Sequence, residues 1–176
     1  LGLDPYTSQS ARAALGIVPQ GLALYPQLTV RQNLDVFARL TGLQGAAVGA
    51  SIEEALVRAE LRDRADERLS TLSGGMQRRL NIVAGTLHQP KLLLLDEPTV
   101  GIDIHMREAI QDLLQTLRNA GMGILFSTHD FDQAAQVADR AVFMIDGRVR
   151  LAGTVAELIR ATFGESREIL VVLNQA

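Results

Sequence analysis

The feature that most constrains the fold is an apolar run that ends abruptly in two acids. Residues 91–95 read KLLLL, and Asp96, Glu97 and Pro98 follow directly. A continuous apolar run of this length predicts a fully buried strand. Paired carboxylates at the carboxyl end of a buried strand are where α/β proteins place a metal or a general base. The sequence therefore predicts an acidic, metal-type site after this strand.

A glycine-containing loop lies upstream of this strand. Residues 72–77 read LSGGMQ, with Ser73 predicted to cap a helix and with Gly74 and Gly75 letting backbone N–H groups face outward. The N-terminus of a helix attracts anions because its first N–H groups are unpaired and its dipole end is positive. The stretch from Leu72 to Asp103 therefore offers a phosphate-type cradle as well as two acids.

Strands and helices alternate along the chain. Strands are predicted at residues 15–18, 91–95, 124–126, 141–145, 148–151 and 169–173. Helices are predicted at residues 8–14, 30–40, 51–61, 75–88, 105–119, 131–138 and 154–163. Thr29 is predicted to cap the second helix, and Ser51 to cap the third in a capping box with Glu54. Arg78 and Arg79 are predicted to point outward. The alternation predicts an α/β fold with a mostly parallel sheet covered by helices.

The helices between residues 21 and 89 are predicted to form a lobe inserted between the strands. The sheet core then comprises residues 1–20 and 90–153. The length of 176 residues corresponds to about one domain.

Composition excludes several classes of function. A net charge of −3 gives no case for nucleic acid or an acidic membrane surface as the main partner. The absence of cysteine excludes disulfides and thiolate metal sites. His88, His105 and His129 do not have the spacing of a zinc-binding pair. The apolar run Leu92–Leu95 is far too short to cross a membrane.

Three predicted strands end in polar side chains. The first is followed by Gln20, the second by Asp96 and Glu97, and the third by Ser127–His129. Because the carboxyl ends of parallel strands lie along one edge of a sheet, these residues are expected to converge on one site. Each ending also has a plainer interpretation on its own, namely a loop glutamine, a solvated turn and a surface or capping histidine.

The chemistry of these side chains favours phosphoryl transfer. Asp96 suits Mg²⁺, because this hard cation prefers carboxylate oxygens and keeps several waters. Glu97 is placed to polarise an attacking water, His129 to hydrogen-bond a transferring phosphoryl group, and Gln20 to hold water or metal. Positioning and charge neutralisation do most of the work in such a reaction.

At residues 14–158 the chain resembles the nucleotide-binding domain of ATP-binding cassette (ABC) transporters. Residues 72–79 (LSGGMQRR) are similar to the family's signature loop, with Met76 where glutamine is commoner. Residues 92–97 are similar to the Walker B strand and its following glutamate. Residues 98–103 are similar to the loop after Walker B.

Two single residues complete the resemblance and extend it to the catalytic centre. Gln20 matches the Q-loop glutamine, and His129 matches the switch histidine. The resemblance implies a P-loop NTPase-like fold with ATP and Mg²⁺ as ligands. It also implies that Glu97 is the general base, that Asp96 and Gln20 serve Mg²⁺, and that His129 contacts the γ-phosphate.

The resemblance further implies two protein partners. Ser73, Gly74 and Gly75 would contact ATP bound to a second nucleotide-binding domain in a head-to-tail dimer, with Asp103 at that interface. Gln20 and the following residues 22–33 would face a transmembrane permease subunit. The chain would then lie at the cytoplasmic face of the cell membrane, attached through the permease.

Three details look most like the exporter branch of the family, although importer branches stay open. These are Met76, the TVGID loop at residues 99–103 and the LYPQLTV sequence at residues 24–30. Residues 154–176 resemble the start of that branch's C-terminal extension.

One motif of the family is missing. The sequence contains no Gly-x-x-x-x-Gly-Lys followed by Ser or Thr, the loop that holds the β- and γ-phosphates. In the family this loop precedes the residue matched by Gln20. The expectation is therefore a single partial ABC ATPase domain, incomplete at the N-terminus and not active alone. The alternatives are a non-hydrolysing module that donates its signature loop to a partner ATPase, and an ABC ATPase without a transport role.

Overall fold

The computed structural model describes residues 4–163, without the side chains of residues 104 and 131–133. The strand predicted at residues 169–173 lies outside the described residues. The chain divides into two compact units, Leu1–His129 and Asp130–Ala176. No helix within residues 4–163 combines the length and apolarity needed to cross a membrane.

The first unit contains a parallel sheet and five α-helices. Its strands are β1 (Leu15–Val18), β2 (Leu92–Asp96) and β3 (Gly123–Ser127). Its helices are α1 (Gln9–Ala13), α2 (Val30–Leu40), α3 (Ala46–Arg58), α4 (Gly74–Ala84) and α5 (Ile104–Asn119). Two short 3₁₀ turns, Arg62–Arg64 and Leu69–Thr71, connect α3 to α4.

The sheet has the order β1-β2-β3, and both pairings are parallel. The apolar run therefore forms the middle strand of these three. The prediction that β2 is buried throughout is wrong, because Leu93 and Leu95 are buried whereas Leu92 and Leu94 are half-buried. The register sets Asp96 directly beside Ser127, so the carboxyl ends of β2 and β3 lie together.

Helices α2, α3 and α4 pack against one another. The buried side chains of these helices and of the turn after α3 include Val30, Leu34, Leu56, Leu61, Leu80 and Ile82. The predicted cap of α2 is confirmed: Thr29 Oγ1 accepts from Gln32 N, and Gln32 Oε1 accepts from Thr29 N. The two bonds satisfy backbone donors that the first turn of a helix would leave unpaired.

The predicted start of α3 is wrong. The helix begins at Ala46 after Gly45, five residues before the predicted cap Ser51. Ser51 Oγ instead donates to Leu87 O at 2.7 Å, and Glu54 accepts from Arg58 on the helix surface. A tertiary hydrogen bond and a local ion pair therefore use the two side chains that the capping box required.

Helix α4 begins as predicted but ends earlier. Ser73 Oγ accepts from Met76 N at 3.3 Å, which confirms the N-cap. The helix ends at Ala84 rather than at residue 88, and the following Gly85 lies against β1. A Cβ at Gly16 would lie 2.3 Å from Gly85 O, so only glycine fits at this contact.

The second unit contains α6 (Phe131–Val137), β4 (Ala141–Ile145), β5 (Arg148–Gly153) and α7 (Val155–Phe163). Strands β4 and β5 pair antiparallel across Asp146 and Gly147, which have φ values of 52° and 69°. A tight hairpin turn with two consecutive positive φ values favours the pair Asp-Gly, which explains why the chain turns here. Thr154 caps α7 with Glu157, and hydrogen bonds from Thr154 lower the pKa of the Glu157 carboxyl.

Candidate functional site

A serine ties the end of β2 to the end of β3. Ser127 Oγ donates to Asp96 Oδ1 at 2.6 Å and accepts from the backbone N of Glu97 at 3.0 Å. A short bond to a charged acceptor is stronger than one between neutral groups. Ser127 therefore holds both the carboxylate of Asp96 and the backbone of the residue after β2 in place. Asp96 is nevertheless exposed to solvent.

Glu97 and His129 form the next contact along this edge of the sheet. His129 Nδ1 lies 2.9 Å from Glu97 Oε1, and the imidazole donates because an ionised carboxylate can only accept. Glu97 has a φ of 44°, a conformation that costs a non-glycine residue roughly 1–3 kcal/mol. The Glu97 side chain is 22% exposed and that of His129 is 76% exposed, so the pair stays within reach of a ligand.

A buried arginine brings the main chain after β1 to the same place. Arg78 Nη1 donates to Gln20 O at 2.7 Å, and Arg78 Nη2 donates to Asp96 O at 3.0 Å and to Glu97 O at 2.8 Å. One guanidinium group therefore spans the ends of two strands. The structure places Gln20, Asp96, Glu97 and His129 at one edge of the sheet; the chemical role of each stays a prediction.

The prediction that Arg78 and Arg79 point outward is wrong. Arg78 is 3% exposed and Arg79 is 7% exposed, and Arg79 forms an ion pair with Glu60. Burial lowers the pKa of the Arg78 guanidinium, and the charge of Asp96 acts in the opposite direction. The sequence does not identify Arg78 as a site residue, because nothing in the local pattern separates a buried arginine on a helix from an exposed one.

The signature loop packs against the start of α5. Asp103 caps this helix, with its Oδ1 accepting from Met106 N at 3.0 Å. The Met106 side chain fills the space beside Gly75, where an added Cβ would lie 2.3 Å from Met106 Cε and 2.8 Å from Met106 Cβ. Gly75 and Asp103 therefore belong to one packed unit, connected through Met106.

Gly75→Ala is expected to destabilise the protein by about 1–3 kcal/mol, because the added methyl overpacks the contact with Met106. Gly74→Ala is the matched control, since no atom lies within 4 Å of a Cβ at that position. Thermal denaturation of the complete subunit measures both variants. Equal melting temperatures for the two would contradict the packing described.

The residues at this edge fit a metal ion that keeps waters and phosphate ligands. Within residues 4–163, no group of three or more His, Cys, Asp or Glu side chains could hold a metal by itself. Asp96 offers an exposed carboxylate at the end of β2. Mg²⁺ is typically bound in this way, through one or two carboxylates plus substrate phosphates.

Comparison with known proteins identifies the family. The sequence profile of the ABC transporter family matches residues 2–100, which is more than half of the chain. The chain belongs to this family. Its α/β fold is that of the P-loop NTPase domain which binds ATP in these transporters.

Individual proteins with similar sequences support the same family assignment. The chain is 36% identical to the linearmycin resistance ATP-binding protein LnrL of Bacillus subtilis, over 94% of this chain and 54% of that protein. It is 40% identical to the Nod factor export ATP-binding protein I of Bradyrhizobium diazoefficiens, over 81% of this chain and 47% of that protein. The chain thus spans about half the length of these relatives.

A solved structure has the same fold. It is cbiO1 from Clostridium perfringens, described as part of the ABC transporter complex cbiONQ, with a TM-score of 0.77 and 30% sequence identity. The match covers 87% of this chain and 61% of that chain.

Proposed function

We propose that this chain is part of the ATP-hydrolysing motor subunit of an ABC exporter. The observation that carries the proposal is the Glu97 carboxylate just after β2, which accepts a hydrogen bond from His129, while the backbone N of Glu97 donates to Ser127 Oγ. A general base needs to be positioned within hydrogen-bond reach of the attacking water. Glu97 would act as this base in a family whose reaction is ATP hydrolysis.

The neighbouring residues have complementary proposed roles. Asp96 and Gln20 would hold Mg²⁺, which neutralises phosphate charge when it is bound. His129 would hydrogen-bond the γ-phosphate while its Nδ1 keeps the contact with Glu97. Gln20 follows β1 and is exposed. Arg78 donates to the main-chain carbonyl oxygen of Gln20 as well as to those of Asp96 and Glu97.

The signature loop is proposed to act on a second nucleotide-binding domain. Gly74 is exposed at the first turn of α4, where unpaired N–H groups and the positive end of the dipole favour phosphate. Ser73, Gly74 and Gly75 would therefore bind the nucleotide held mainly by the second domain of a head-to-tail dimer. Asp103 would lie in the same interface, because Met106 packs its helix against Gly75.

The segment after Gln20 is proposed to bind the transmembrane permease. Leu22 and Tyr25 are 43% and 49% exposed, although both are apolar or aromatic. Buried Asn33 accepts from Tyr25 N at 2.8 Å and holds this loop in one conformation. An ordered loop with exposed apolar side chains suits a protein partner, and binding to a permease would place the chain at the cytoplasmic face of the membrane.

Export is the proposed direction of transport, and the names of two relatives support it. One relative is named for Nod factor export and another for linearmycin resistance. The transported molecule is chosen by the permease in this proposal, so the site described above carries no preference for it.

ATP hydrolysis by the complete subunit with its permease tests the proposal. His129→Ala is expected to lower kcat by about 100-fold, the scale of losing one positioned donor to developing charge. His105→Ala is the matched control, because His105 is exposed near the start of α5. Wild-type hydrolysis that does not require Mg²⁺, or equal activity in the two variants, would contradict the proposed function.

A further inference from the structure

Arg78 has an unusual set of partners for a buried cation. Its Nε donates to Pro98 O at 2.9 Å, and its Nη1 donates to Pro19 O and Gln20 O at 3.0 and 2.7 Å. Its Nη2 donates to Asp96 O and Glu97 O at 3.0 and 2.8 Å. A guanidinium group has five N–H donors. Each of them meets a main-chain carbonyl oxygen at the end of a strand.

This geometry depends on arginine. Guanidinium is planar and presents its donors in a fixed fork, whereas lysine has three donors on one nitrogen. Lysine at position 78 would keep the charge but leave carbonyls of one strand end unpaired. Glutamine would lose the charge and most of the donors.

Three of the five acceptors surround the strained residue. Asp96 O, Glu97 O and Pro98 O belong to consecutive residues, and Glu97 between them has the positive φ of 44°. A strained backbone conformation persists only where many surrounding contacts hold it in place. The contacts of Arg78, together with the bond from Glu97 N to Ser127 Oγ, supply that constraint.

We propose that Arg78 is a positioning residue for catalysis, which fixes the backbone at Gln20 and Glu97 and so sets the direction of both side chains. The inference deepens the proposed function and rests on it for the kinetic consequence. Arg78 also belongs to α4, which begins at the signature loop. One helix, α4, therefore carries both the signature loop, which is proposed to bind the partner's nucleotide, and Arg78, which binds the ends of β1 and β2.

Arg78→Gln and Arg78→Lys in the complete subunit test this proposal by two independent measurements. The first is hydrogen exchange without nucleotide, read at the amides of Glu97 and Val100, which donate to Ser127 Oγ and Glu97 O. Exchange of both amides in Arg78→Gln is expected to accelerate by about tenfold or more, because the carbonyls that hold this turn lose charged donors.

The second measurement is ATP hydrolysis. Arg78→Gln is expected to lower kcat by about 100-fold with little change in KM, the scale for a catalytic group displaced by about 1 Å. Arg78→Lys is expected to restore only a small part of this loss, because charge without the fork does not span both strand ends. A merely structural role would lower the melting temperature and leave kcat of the folded fraction unchanged.

Glu60→Gln is the matched control. It removes the carboxylate partner of Arg79, which is a buried arginine on the same helix. Exchange is expected to change at the amide of Leu61 and not at Glu97, and kcat is expected to stay within about twofold of wild type because the sites act independently.

The outcomes separate this inference from the proposed function. Wild-type exchange at Glu97 and Val100 in Arg78→Gln would overturn the positioning role, whether or not the subunit hydrolyses ATP. Accelerated exchange with unchanged kcat would also overturn it. A wild-type subunit that hydrolyses no ATP would contradict the proposed function, and the exchange measurement would still decide whether Arg78 positions the strand ends.

Discussion

Glu97→Gln is expected to lower kcat for ATP hydrolysis by about 1000-fold, within the range of an essential general base. Glutamine has nearly the same shape as glutamate and offers an oxygen to His129 Nδ1, so the contact now made by Glu97 Oε1 is preserved. The amide cannot take a proton from water at neutral pH. Binding of ATP is therefore retained while its hydrolysis is lost, and ATP-bound dimers of the nucleotide-binding domains are expected to accumulate.

Two measurements on the complete subunit check this expectation. Phosphate release reports kcat, and size-exclusion chromatography with and without ATP reports the dimer. Glu108→Gln is the matched control, because Glu108 is an exposed residue on α5. Turnover in Glu97→Gln equal to that of the control would remove the role of general base from Glu97.

The fold around this residue could largely be predicted from short-range patterns. Strand β2 was recognisable because its apolar run ends at Asp96, and α2 because Thr29 stands as a cap in front of it. Both signals depend on neighbours in the sequence, and both are confirmed. The same kind of signal was wrong at Ser51, where the hydroxyl donates to Leu87 O far along the chain.

The convergence of polar residues could also be predicted, but the way they are held together could not. Parallel strands imply that Asp96 and the residues after β3 lie at one edge. The pattern contains no sign that Ser127 bridges Asp96 and Glu97, or that Arg78 turns inward. These bonds require carbonyl and carboxylate groups that come together only when the sheet has formed.

The burial of Arg78 and the packing of Met106 against Gly75 have the same physical origin, namely contacts between segments that are distant in the sequence. Arg78 stands in a helix after a polar turn, where an arginine is ordinarily at the surface. Its burial is tolerated because carbonyl oxygens of two strand ends replace the water that it loses. Met106 likewise follows a cap and looks like one apolar position of α5, yet it fills the space that Gly75 leaves open.

Asp96→Asn is expected to lower kcat by about 1000-fold at moderate Mg²⁺, because a bound metal stabilises developing charge by several kcal/mol. Asparagine keeps an oxygen that accepts from Ser127 Oγ, so the bond between the strand ends is preserved. The substitution removes the negative charge and leaves the surrounding contacts in place. Loss of activity would therefore report on metal binding rather than on folding.

A Mg²⁺ titration of ATP hydrolysis distinguishes this role from that of Glu97. In Asp96→Asn, raising Mg²⁺ is expected to recover part of the lost turnover, since weaker binding is offset by mass action. In Glu97→Gln no concentration of Mg²⁺ is expected to do so, because the missing group is a proton acceptor. Asp63→Asn, at an exposed position in the turn after α3, is the control for loss of one carboxylate. An unchanged Mg²⁺ requirement in Asp96→Asn would exclude Asp96 as a metal ligand.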